Sequence, residues 1–99
     1  MKRAEILDSA KEIVTKDREE QYGAPENNFA IIAELWTSYV KARCAPNNAL
    51  VDISPADVGA MMILLKTARI AGGSEKADNY IDIAGYAACA GELVSKKNE

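Results

Sequence analysis

Apolar residues recur along this chain at helical spacing in four segments and nowhere alternate strictly over any length, which predicts helices and no strands. In the first segment, Lys2 to about Lys16, Ile6, Ala10, Ile13 and Val14 share a face with charge opposite. Asp17 to Gly23 can extend that helix by a turn, with Gly23 as its stop. The second helix starts near Pro25 or Glu26 and carries an apolar stripe of Phe29, Ile32, Ala33, Trp36, Tyr39 and Val40. On that stripe Phe29, Trp36 and Tyr39 are expected to be core. Residues 43 to 53 read as a loop, with turn chemistry at Pro46-Asn47-Asn48.

The third helix has the strongest start signal. Ser54 is placed to cap it, Pro55 fits its first position, and Asp57 faces the positive end of the helix dipole. It runs to about Ala71 and stops at Gly72-Gly73. Val58, Ala60, Met61, Met62, Ile63, Leu64 and Leu65 make it apolar nearly all round, so it is expected to be central and buried on several sides. The fourth helix, from Lys76 or Ala77 to Ser95, is rich in small residues. Gly85 and Gly91 inside it imply close helix approach or room for a ligand, since glycine costs a helix about 1 kcal/mol relative to alanine. Residues 96 to 99 are expected to fray.

Composition narrows the function classes. With 99 residues the chain is expected to be one compact all-α domain, 1–99, of four-helix-bundle type. Hydrophobic residues at 48% and charged ones at 27% fit a globular chain. A net charge of −3 argues against broad nucleic-acid binding, which needs a basic surface. The absence of histidine removes the commonest zinc ligand and the usual general base. Cys44 and Cys89 fit neither a zinc cluster nor a disulfide framework, and free thiols in a reducing cytosol are expected. No signal peptide and no apolar run long enough to span a bilayer are visible, so a cytoplasmic protein without membrane contact is expected.

Three groups of residues could carry chemistry. Lys66 and Arg69 are three apart on the apolar third helix and share a face. They either reach solvent near the negative end of the dipole or form an anion site, such as one for a nucleotide phosphate. Asp78 and Asp82, at i and i+4 on the fourth helix with Asn79 beside them, are either acids of a helix start or a pair that asks for a cation. That cation is Lys66, Arg69 or magnesium. The stretch Asp17 to Phe29 gathers Arg18, Tyr22, Gly23 and Asn28. It is either a capped connection or a place where Tyr22 stacks on a base and Asn28 reads its edge.

The order Arg18-Glu19-x-x-Tyr22-Gly23-x-Pro25-Glu26-x-Asn28-Phe29, then Trp36, Ser54-Pro55-x-Asp57, Lys66-x-x-Arg69 and Asp78-x-Tyr80-x-Asp82-x-Ala84-Gly85-Tyr86 resembles a family of small phage and prophage proteins of unassigned function. The resemblance covers about residues 15 to 93. More remotely, Lys-x-x-Arg followed by an Asp-bearing helix is similar to phage nucleotide-modification-associated domains and to MazG-like all-α nucleoside triphosphate pyrophosphohydrolases. That likeness implies magnesium held by acidic pairs on two helices. Asp82 matches the last acid of those motifs, and Asn79 stands where a Glu would be. No Glu-x-x-Glu pair occurs on the second helix, and Asp57 lies about half a turn round from Lys66.

Three functions follow as expectations. One is a magnesium-dependent pyrophosphohydrolase, with Asp78 and Asp82 as metal-binding catalytic residues and Lys66 and Arg69 neutralising phosphate charge. Another is a non-catalytic binder that uses Lys66, Arg69, Arg18, Tyr22, Asn28 and Tyr86 to hold a nucleotide. It would sequester a nucleotide or cyclic-nucleotide signal of host defence. The third is a structural module. A homo-oligomer is expected under all three, because four short helices leave apolar surface for a partner to cover.

Overall fold

The computed structural model describes residues 1–17, 25–47 and 50–97, and among these it contains four α-helices, one π-helical turn and no strand. Helix α1 (Arg3–Glu12) starts where the Glu5 carboxylate accepts from the Lys2 backbone N–H at 3.3 Å. The helix expected to continue to Lys16 widens instead into a π-helical turn over Ile13–Asp17. Within it the Thr15 hydroxyl donates to the Lys11 carbonyl at 2.6 Å, a side-chain bond that competes with the regular ladder. Helix α2 spans Pro25–Cys44.

Helix α3 (Pro55–Ala71) has the start and stop expected of it. The Asp57 backbone N–H donates to Ser54 Oγ at 3.1 Å, and the Ser54 N–H donates to Asp57 Oδ2 at 2.9 Å, a reciprocal capping box. At the other end the N–H groups of Gly72, Gly73 and Ser74 turn back onto the carbonyls of Ala68, Ile70 and Arg69. Gly73 has φ of 104°, a conformation that residues with a Cβ rarely adopt. Helix α4 (Ala77–Lys97) follows directly.

The helices pack in the spatial order α1, α4, α3, α2. The α3–α4 pair is the spine. At its crossing a Cβ added to Gly59 would lie 2.7 Å from the Ala90 Cβ, so the backbones approach as closely as a glycine allows. Gly85 takes part in a second close approach, to Val14 of the π turn, whereas Gly91 faces open space. The core gathers Phe29 and Ala33 of α2, Val58 of α3 and Cys89 of α4, with Trp36, Met62 and Tyr86 packed against it. Cys44 is exposed, and no disulfide joins it to the buried Cys89.

Three expectations need correction. Tyr39 is 67% exposed and is not core, because α3 covers only the flank of α2 that carries Phe29, Ala33 and Trp36. Helix α3 is not buried on several sides: only Val58 and Gly59 are fully buried, while Leu64 is 67% and Leu65 50% exposed. The chain is also less compact than expected. Its radius of gyration is 15.0 Å, against about 13 Å for a globular domain of this length.

Candidate functional site

The antiparallel course of α3 and α4 brings the predicted cation helix against the predicted acid helix. Lys66 Nζ lies 3.0 Å from Asp82 Oδ2. The lysine side chain is only 13% exposed, and the aspartate is 34% exposed. Burying the ammonium without a partner would be costly, and the carboxylate supplies that partner from the next helix. Of the two cations on α3, Lys66 is the one that pairs with Asp82. Arg69, one turn further along α3, and Asp78, one turn before Asp82, are both exposed.

Asn79 does different work from the acid it was aligned with. It is 5% exposed, and its amide nitrogen donates to Ser74 Oγ at 2.9 Å and to the Ser74 carbonyl at 3.5 Å. The amide nitrogen therefore ties the start of α4 to the turn after Gly73. Among the described residues no group of three or more His, Cys, Asp or Glu side chains stands close enough to hold a metal ion. Asp78 and Asp82 are one turn apart on α4, and the Asp82 carboxylate is paired with Lys66.

Tyr86 lies one turn beyond Asp82 and packs obliquely on Phe29, with ring centroids 6.3 Å apart. Asp82, Gly85 and Tyr86 line a small cavity of about 50 Å³ together with Ile13, Val14, Ile81 and Cys89. A second, open groove of about 550 Å³ runs between α2 and the segment entering α3. At that groove the Thr37 hydroxyl accepts from the Ile53 N–H at 2.9 Å. Of the remaining predicted site residues, Arg18 and Tyr22 lie outside the described residues. Asn28 falls in the opening turn of α2, and its side chain is likewise outside them.

Sequence reasoning missed Gly59 and the Thr37–Ile53 clasp. A glycine within an otherwise strongly helix-forming run was the available signal for the first. A bond between a mid-helix hydroxyl and a distant loop backbone left no signal.

This geometry defines a class: an all-helical protein with a spine of two close helices and one semi-buried ion pair between them. Residues 5–94 match the model of a domain of unknown function, DUF6378, and the chain belongs to that family. It is 37% identical over 84 residues to the Gene 55 protein of Mycobacterium phage D29, covering 85% of this chain and 50% of that protein. It is 40% identical over 82 residues to the Gene 55 protein of Mycobacterium phage L5, covering 83% and 47% respectively. The chain thus spans about half the length of the curated relatives it matches. Those relatives are phage proteins, in keeping with the family resemblance read from the motifs. No solved structure matches the chain, and no helix among the described residues is long and apolar enough to cross a membrane.

Proposed function

We propose that this chain is a nucleotide-binding module that holds its ligand without turning it over. The observation that carries the reading is the Lys66–Asp82 pair: a carboxylate fixed by a nearly buried ammonium, yet still one-third open to solvent. Such a carboxylate is pre-oriented to accept from a base amino group or a ribose hydroxyl. Arg69, exposed one turn away on α3, supplies a planar cation for a phosphate. Tyr86 contributes an aromatic wall on the same face of α4 as Asp82.

The cavity beside Asp82, about 50 Å³, is far below the 300 Å³ or so at which drug-sized ligand pockets begin. The ligand therefore lies across the helix surface, not inside the core. Hydrolysis has weaker support, because α2 carries no Glu-x-x-Glu pair of the kind the MazG-like motifs supply from a second helix. The remote similarity to MazG-like enzymes rests on sequence motifs alone. A binder of this kind would act by sequestering a nucleotide or a cyclic-nucleotide signal.

The test is a thermal-shift and calorimetric screen against ribo-, deoxyribo- and cyclic nucleotides, with and without a chelator. At least one nucleotide is expected to raise the melting temperature equally in both conditions, with no pyrophosphate released. Arg69→Glu should weaken that binding about tenfold or more, the loss of one charge-assisted bond. If no nucleotide binds, or if the variant binds as the parent does, the proposal fails. Pyrophosphate release that the chelator abolishes would replace it with the hydrolase reading.

A further inference from the structure

The small cavity between the π turn and α4 has a floor and a rim of different chemistry. Ile81, Gly85 and Cys89, all buried, form the floor, and Val14 walls one side. Ile13 and Asp82 form the rim, where the Asp82 side chain is one-third exposed. At about 50 Å³ the cavity exceeds the ~10–15 Å³ that one water needs, yet is far below the ~150 Å³ that accepts a benzene. It is sized for a methyl group and not for a ring. Water suits it poorly, because an ordered water needs about two to four polar partners. From the floor side chains it would meet only the Cys89 thiol, a weak hydrogen-bonding group. Gly85 keeps the space open. Alanine would favour the helix there, but its Cβ would stand 3.2 Å from Val14 Cγ1, between α4 and the π turn.

Asp82 fixes what must stand beside a group seated in the cavity. Its carboxylate is paired with Lys66 at 3.0 Å and can only accept hydrogen bonds. A ligand reaching this rim must therefore present an N–H or O–H to Asp82 and a small apolar substituent on the neighbouring atom. Among bases, 5-methylcytosine carries its amino and methyl groups side by side. Thymine has the same methyl beside a carbonyl oxygen, which a carboxylate repels. Cytosine has the amino group but leaves the cavity empty.

We propose that the cavity is a selectivity pocket for a methyl group next to a hydrogen-bond donor, and that the nucleotide held at Asp82 carries a 5-methylcytosine base. This rests on the nucleotide reading and narrows it. The base amino group donates to Asp82, the methyl group enters the cavity, and the rest of the ligand lies across the helix surface.

The test is calorimetry of the full chain with deoxycytidine monophosphate, its 5-methyl derivative and thymidine monophosphate. The methylated cytosine nucleotide should bind about tenfold more tightly than the unmethylated one, the low end of what one carbon in a fitted pocket gives. It should also bind at least about tenfold more tightly than the thymine nucleotide, whose carbonyl opposes Asp82. Gly85→Ala puts a carbon into the cavity, so the ratio between the two cytosine nucleotides should fall to about one, with circular dichroism reporting the fold. Nuclear Overhauser contacts from the bound methyl group to Ile81 and Val14 give a second measurement that needs no variant. Equal affinity for the two cytosine nucleotides, tighter binding of the thymine one, a folded Gly85→Ala that keeps the ratio, or a bound methyl without contacts to Ile81 and Val14 would each overturn the inference. Binding confined to other nucleotides overturns this inference and leaves the nucleotide reading standing. Binding of no nucleotide at all overturns both.

Discussion

The two ends of the α3–α4 spine are held by opposite means. At the end away from the turn, Gly59 lets α3 approach Ala90 until the backbones nearly touch, and Phe29 and Val58 seal the crossing with no exposed surface. Toward the turn, the helices are joined by Lys66 and Asp82, and Asn79 ties α4 to Ser74. The first end depends on shape and has almost no tolerance for added volume. The second depends on polar bonds that water can partly replace, because Asp82 is one-third exposed. Stability should therefore reside at the glycine end, leaving the polar end able to carry function.

Phe29→Ala should have the largest effect. Removing a fully buried aromatic side chain costs about 3–5 kcal/mol, a large share of the 5–15 kcal/mol or so available to a small domain. Denaturant unfolding measures it, and a cost below about 1 kcal/mol would remove the crossing from the centre of the fold.

Glycine-to-alanine changes give the next contrast. Helix propensity alone favours alanine by about 1 kcal/mol at both Gly59 and Gly91. At Gly91 nothing lies within 4 Å, so Gly91→Ala should stabilise by up to that amount. At Gly59 the added Cβ meets Ala90 at 2.7 Å, and overpacking of about 1–3 kcal/mol should win. Equal signs in thermal melts of the two variants would remove the distinction between a close crossing and an open helix face.

The smallest loss belongs to the polar end. Lys66→Met keeps the apolar stem and removes the charge, leaving Asp82 to turn to water, at a cost of about 1 kcal/mol. A cost of 3–5 kcal/mol, the range for breaking a buried pair, would show that this end anchors the fold as firmly as the other.

What was legible in the sequence follows the range of the forces involved. The limits of α3 were legible because Ser54, Asp57 and Gly72 act within a few residues of themselves. The meeting of Lys66 with Asp82 was legible as one of several pairings, because opposite charges on consecutive antiparallel helices have few other places to go. The exposure of Tyr39 was not legible, since it depends on which neighbour covers α2 and not on the stripe that α2 carries. Asn79 was read beside its acidic neighbours, but its amide is taken up by a turn whose shape depends on the positive φ of Gly73. The outward face of α3 was read as buried because periodicity reports apolar surface without saying whether the same chain covers it.

The placement of the polar contacts close to the α3–α4 turn also sets the order in which the spine assembles. Asn79 and Ser74 are five residues apart, so their bond closes a very short loop. Gly59 and Ala90 are about twice as far apart along the chain as Lys66 and Asp82, and each doubling of loop length adds about 0.6 kcal/mol of closure entropy. Closure entropy therefore favours forming the ion pair before the glycine crossing docks, and φ-values at Lys66 and Asp82 should exceed those at Gly59. On that count the residues that contribute least to final stability are the ones the chain can join most cheaply.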